Sequence, residues 1–235
     1  MLLATLEMME CKQQAYVPLA GSLIEWNSVK ISDEVKEKFL FIKKICPEAI
    51  LAGGALRDSF FDVSIKDIDI FVGPSFANEY QKFIQAANYD IVLEHDGKRG
   101  EEYKKFGKNI ISVFGAKKKN ATDLPIQIIV CEEIPTVSSL IHEFDWGFCQ
   151  IGTENLDKIY VTKAFKDDVV NNTATLVNGY GTENDTHSIK RGIRLQRKYS
   201  NRKFMVCLTS YQMNLLSVDY SNMIKIDGNL NFNLI

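Results

Sequence analysis

Residues 53–71 read GGALRDSFFDVSIKDIDIF. Asp67 and Asp69 stand one residue apart in KDIDIFVG, a run whose polar and apolar residues alternate as in a strand. Successive strand side chains point to opposite faces, so Ile68 and Ile70 face a core and the two carboxylates share the other side. Carboxylates held that close repel one another, and a cation beside them relieves the repulsion. Mg²⁺ suits such a place: it takes one or two carboxylates and fills its other positions with water and substrate phosphate. Gly53 and Gly54 end a preceding strand, EAILA, and lead into a helical stretch, ALRDSFFD. Without side chains there, phosphate can approach the backbone, and a helix start offers free N–H donors. Arg57, one turn in, either adds charge to the same phosphates or braces the aspartates.

Together these parts suit a nucleoside triphosphate gripped by its phosphates and bridged by metal. Each part alone has a plainer reading, the Asp-x-Asp pair as a solvated strand edge and the glycines as a tight turn. The order of strand, glycine pair, Arg-Asp helix and Asp-x-Asp strand is more specific. Neither a G-x-x-x-x-G-K-S/T loop nor a G-x-G-x-x-G fingerprint occurs, so the commoner phosphate-binding folds lack support.

The elements that must position these residues follow from periodicity. SDEVKEKFLFIKKIC (32–46) has apolar residues at helical spacing behind a Ser or Asp cap. SFANEYQKFIQAAN (75–88) reads as a second amphipathic helix, and YDIVLEH, NIISVFG and LPIQIIVC as three further strands. TVSSLIHEF is a short helix, DWGFCQIG and KIYVT a strand pair, and 163–172 another helix. From 186 the stretches THSIKRGIRLQRKYSN and MVCLTSYQMNLL read as helical. The expected fold class is α+β, with a mixed sheet and helices over residues 1–162 and a small, mostly helical segment over 163–235.

Composition sets bounds. A chain of 235 residues with 46% hydrophobic residues can bury a substantial core. The start, MLLATLEMMECKQQ, has no basic n-region and is broken by Glu7 and Glu10, which argues against a signal peptide. No run approaches the roughly 18 apolar residues of a membrane span. The five cysteines are scattered without a C-x-x-C, which points to reduced thiols and a cytoplasmic setting, and the three histidines lie far apart. Cys131 and Cys149 fall in apolar runs and read as core. The net charge of −2 disfavours a non-specific nucleic-acid coat, yet Lys98–Lys119 and Lys190–Lys203 are locally basic. Each is either a phosphate-facing surface or a solvated hairpin tip or helix face.

The residues also carry a family likeness. GGALRDSFFDVSIKDIDIF resembles the G-G-x-x-R-D…D-x-D signature of the DNA polymerase β-like nucleotidyltransferases, specifically the head domain of CCA-adding enzymes and bacterial poly(A) polymerases. FDWGFCQIG (144–152) resembles that family's R-D-F-T-x-N-A segment, with Asp145 on its Asp. NDTHSIKRGIRLQRKY (184–199) resembles its E-D-P-x-R-x-x-R-A-x-R-F-A-x-R-F helix, matching Asp185, Arg191, Arg194, Lys198 and Tyr199. The resemblance implies a polymerase β palm-like sheet, Asp67 and Asp69 as ligands of one or two Mg²⁺ ions, and Asp145 as a third catalytic residue. It further implies that Gly53, Gly54, Arg57, Asp58, Arg191, Arg194 and Lys198 bind the nucleotide. The implied reaction moves a nucleoside monophosphate from an NTP, ATP among them, to an acceptor hydroxyl, with an RNA 3′ end favoured by the basic stretches. A protein or small-molecule acceptor, or a nucleotide- or RNA-binding module without turnover, are the alternatives.

Departures from the pattern carry consequences. Gln127 stands where such enzymes often have a third carboxylate, leaving that role to Asp145, Glu132 or no residue. Phe144 and Ser188 replace family arginines. The sequence ends soon after the basic helix, so the expectation is a short stand-alone enzyme of the kind found in bacteriophages and toxin modules, without the parts that hold tRNA for full CCA addition.

Overall fold

A computed structural model of the chain describes residues 23–26, 29–76, 79, 89–93, 110–118, 123–178, 185–206 and 233–234. Along them run β1 (Ile24–Glu25), α1 (Asp33–Ile45), β2 (Ile50–Ala52), α2 (Gly54–Phe60), β3 (Ile68–Val72), β4 (Tyr89–Leu93), β5 (Ile110–Lys118) and β6 (Ile126–Cys131). There follow α3 (Val137–His142), a 3-10 turn (Gly147–Cys149), β7 (Ile151–Thr153), β8 (Tyr160–Val161), α4 (Lys163–Asn171), β9 (Thr173–Thr175), α5 (Asp185–Lys198), β10 (Lys203–Val206) and β11 (Asn233–Leu234).

Eight strands form one mixed sheet in the order β1-β8-β7-β2-β3-β6-β5-β4. Its β3 and β6 run parallel, with Ile68 opposite Ile126 and Asp69 opposite Gln127. The other pairings are antiparallel. Ile68, Ile70 and Val72 of β3 join one buried cluster with Val35, Phe39 and Ile42 of α1. Phe71 points the other way, into a second cluster with Ile129, Leu140 and Ile141. The period-two pattern is thus realised as the sequence predicts: isoleucines inward on the α1 side, aspartates on the side shared with Phe71.

Local chemistry explains the helix starts. The Ser32 hydroxyl accepts from Val35 N at 3.4 Å, Asp33 and Glu34 fill the first turn of α1, and Lys43 and Lys44 the last. Thr136 and Ser139 form a reciprocal capping box on α3, and Thr162 caps α4 by accepting from Phe165 N at 3.2 Å.

Two elements differ from their expected form. Gly147–Cys149 is a 3-10 turn and not a strand, closed by Cys149 N donating to Trp146 O and Gln150 N to Gly147 O, both at 2.9 Å, so the expected strand pair starts only at β7. Beyond residue 163, helices α4 and α5 are accompanied by a three-stranded parallel sheet, β11-β10-β9. Met205 and Val206 therefore lie in a strand, where β-favouring Phe204 and Val206 flank Met205. Most of the helix expected over 75–88, and MVCLTSYQMNLL beyond Val206, lie outside the described residues. Among the described residues no helix is long and apolar enough to cross a membrane.

Candidate active site

The glycine turn sits at the edge of the carboxylate pair. Gly53 ends β2 and caps α2 with φ +75°, a backbone shape that favours glycine. Its N–H donates to Ile151 O at 2.9 Å, and its carbonyl accepts from Arg57 N at 2.9 Å. A Cβ on Gly53 would lie 3.3 Å from the Phe144 ring, and one on Gly54 would lie 3.9 Å from both Asp69 Oδ2 and Arg57 Nη2. The bare backbone of Gly54 therefore forms a cradle between a carboxylate and a guanidinium.

Asp67 and Asp69 are both half-buried on one face. Asp67 Oδ2 faces Lys66 Nζ at 3.3 Å and accepts from Gln127 Nε2, also at 3.3 Å. Burial, followed by the Asp67 charge, pushes the Asp69 carboxyl up from 3.8 to about 7, while Arg191 and Arg57 pull it back. Two carboxylates share this face, and the burial that raises Asp69 makes its charged form depend on a nearby cation. A hard divalent cation fits the pair by donor chemistry, since two carboxylates supply the charge and a phosphate beside Gly54 would supply further oxygens.

Gln127 occupies the neighbouring strand position directly opposite Asp69. Among the described residues no group of three or more His, Cys, Asp or Glu side chains gathers at one point. Glu132 lies five residues further along, about 16 Å away at strand rise, and is exposed. Asp145 is engaged otherwise: its Oδ1 accepts from Arg191 Nη1 at 3.0 Å and from Trp146 N at 3.0 Å. Asp145 raises the pKa of Arg191, and Arg191 acts in turn on Asp69, so one cation of α5 serves both carboxylates.

Arg57 and Asp58 are buried. Arg57 donates from Nη2 and Nε to Asp58 Oδ1 (2.6 and 2.9 Å), from Nε to the Tyr199 hydroxyl (3.0 Å) and from Nη1 to Cys149 Sγ (3.1 Å). Asp58 also accepts from the Tyr199 hydroxyl and, at 2.5 Å, from Lys198 Nζ. Arg194 is exposed. Asp185 begins α5. Of the basic stretch Lys98–Lys119, residues 98–109 and 119 lie outside the described residues.

Several supporting residues had no local signal in the sequence. Lys38 is buried on α1, yet its Nζ donates to Glu34 Oε1 (2.7 Å) and Leu124 O (2.6 Å). Next to Leu124, the Pro125 carbonyl accepts from Ile68 N at 2.9 Å, so Lys38 helps fix the start of β3 where the carboxylates lie. Gln150 and Asn178 both donate to Phe144 O, at 2.9 and 3.0 Å, and so hold Phe144 beside Gly53. A buried lysine in an otherwise amphipathic helix is a faint sign of such a contact. The others depend on distant partners.

No protein-family model matches the sequence, and no curated protein matches it. Solved structures do. A tRNA-processing enzyme in an apo form superposes with a TM-score of 0.55 at 14% identity, covering 83% of this chain and 49% of its own. The Thermotoga maritima CCA-adding enzyme complexed with tRNA gives 0.56 at 16% identity, covering 83% and 44%. A CCA-adding enzyme in complex with ATP gives 0.56 at 16% identity, covering 82% and 43%. The chain spans less than half the length of these structures. At such identities the likeness is one of fold: the chain has the α+β nucleotidyltransferase fold seen in CCA-adding enzymes.

Proposed function

We propose that the chain is a Mg²⁺-dependent nucleotidyltransferase that moves a nucleoside monophosphate from an NTP to an acceptor hydroxyl, with an RNA 3′ end as the acceptor. The observation that carries this reading is the pairing of Asp67 and Asp69 on one face beside the bare backbone of Gly54, with Asp69 raised to about 7 by burial and by the Asp67 charge. Asp67 and Asp69 would hold the metal, which when bound supplies charge neutralisation at the α-phosphate and the departing pyrophosphate. Gly53 and Gly54 admit the phosphates to the backbone, and Arg57 and Arg191 set positive charge on either side of them. Asp145 fixes Arg191, and Lys198 fixes Asp58. The acceptor oxygen bonds the α-phosphorus as the α–β bridge breaks, pyrophosphate leaves with the electron pair, and the acceptor proton passes to solvent.

The fold likeness and the basic face of α5, where Arg194 and Arg197 are exposed, support RNA as the acceptor. The neighbours named for tRNA and for ATP favour the same substrates. Incubation with each NTP labelled at its α-phosphate, offered total RNA in one arm and total protein in the other, tests the assignment. Label at RNA 3′ ends supports it, and label confined to protein moves the acceptor to a protein hydroxyl.

One observation favours a second reading. Where a third carboxylate would stand, Gln127 offers an amide that donates to Asp67. A neutral amide is neither a strong Mg²⁺ ligand nor a base, which fits a module that binds nucleotide without turning it over. That module would be stabilised by Mg²⁺ with NTP and would transfer no label.

A further inference from the structure

Tyr199 lies at the end of α5, yet its hydroxyl reaches two residues of α2 that are more than a hundred positions away in the chain. It accepts from Arg57 Nε at 3.0 Å and donates to Asp58 Oδ1. Burial holds the phenol protonated, as this donation requires. The ring packs edge-on against Phe61 and Phe148, with centroids 5.6 and 5.4 Å apart. A phenylalanine could make both ring contacts. The hydroxyl therefore serves a different end.

That end is visible in the charges around it. Asp58 is bonded by Arg57 and by Lys198, so two cations meet one carboxylate and the cluster keeps one positive charge in excess. The Cys149 thiol facing Arg57 Nη1 is pushed up by burial and adds no negative charge. The guanidinium has its Nε side on Tyr199 and Asp58 and its Nη1 side on Cys149, and its Nη2, which donates to Asp58 Oδ1 at 2.6 Å, also lies 3.9 Å from the space a Gly54 Cβ would fill. Without the hydroxyl, Nε keeps Asp58 Oδ1 as its one partner, and the guanidinium loses the contact that sets its tilt beside Gly54.

We propose that Tyr199 is a positioning residue for the triphosphate: its hydroxyl fixes the Arg57 guanidinium beside Gly54, where the excess charge of the cluster meets the phosphates of a bound NTP. The inference rests on the nucleotide reading above and deepens it, since it assigns part of the phosphate grip to a residue that never touches substrate. Asp58 and Lys198 then act behind Arg57 and not on the nucleotide.

The test is calorimetric titration of the full chain, wild type and Tyr199→Phe, with Mg·ATP and separately with inorganic tripolyphosphate. The expected result is a Kd raised about tenfold for both, the worth of roughly one hydrogen bond near a charge, with a folded variant whose melting temperature falls by several degrees at most. Equal Kd values in the two proteins would overturn the inference while leaving the nucleotide reading intact. A wild type that binds neither probe would overturn both. A second measurement does not depend on how the variant folds. The Arg57 Nε–H resonance of the wild type, identified by its loss in Arg57→Lys, should shift when tripolyphosphate is added, and a resonance that stays in place overturns the inference.

Discussion

Trp146 and Gly192 share one volume. A Cβ on Gly192 would lie 2.2 Å from Cζ2 of the Trp146 indole, whose Nε1 donates to Ser188 O at 3.0 Å. The indole is fully buried, so α5 can approach the sheet domain only because one of its residues has no side chain. The same contact fixes the rotation of α5 and so the place of Arg191. Gly192→Ala should therefore cost about 1–3 kcal/mol through overpacking, read as a fall of several degrees in melting temperature. It should also weaken nucleotide binding, because Arg191 moves off Asp145.

The raised Asp69 carboxyl makes a signed prediction about pH. Its pKa is about 7 in the folded protein against an ordinary 3.8, so the folded state holds this proton more tightly than the unfolded chain. The stability it contributes is complete below about pH 4 and is lost as the pH rises through about 7. In chelator, Asp69→Asn should raise the melting temperature at pH 8 by a few degrees, and its stability should fall less with pH across that window. Thermal melts from pH 4 to 8 check this. A variant less stable than wild type at pH 8 would contradict it.

Arg191 is bonded to Asp145 and acts electrostatically on Asp69, so its charge and its shape both matter. Arg191→Lys keeps the charge and loses the planar fork. The expected outcome is an NTP affinity about tenfold or more weaker, the range for a hydrogen bond to a charged group, with Mg²⁺ stabilisation of the nucleotide-free protein retained. Titration with Mg²⁺ and then with NTP separates the two effects.

Gln127 gives the sharpest contrast between a catalyst and a silent binder. Gln127→Glu places a third carboxylate opposite Asp69 and beside Asp67. In chelator the added repulsion should lower the melting temperature, and Mg²⁺ should restore more than it does in wild type. A gain in label transfer over wild type would identify the amide as a brake on turnover.

The core of the candidate site was legible because it is local. Gly53, Gly54, Asp67 and Asp69 lie within one short stretch, and strand alternation alone put the carboxylates on a common face. The same logic gave the α1 face and most strands of the large sheet. Distance in the chain hid the rest. Nothing near Tyr199 announces that it meets Asp58, and the place of Lys38 on the apolar face of α1 hints at a buried partner without naming Leu124 O. Strands β9 and β11 have three and two residues, too few for a period to show. Trp146 and Phe148 resemble strand residues by type, and only the backbone bonds from Cys149 N to Trp146 O and from Gln150 N to Gly147 O reveal the turn.

Transfer of α-labelled NTP to RNA as Mg²⁺ is raised, compared between wild type and the Asp67→Asn/Asp69→Asn double variant, decides whether these two carboxylates catalyse. Transfer that rises with Mg²⁺ in wild type and vanishes in the folded double variant is the predicted result. Equal transfer by both proteins would contradict the assignment of these carboxylates. No transfer by the wild type at any Mg²⁺ concentration, with any of the four nucleotides, would contradict catalysis itself.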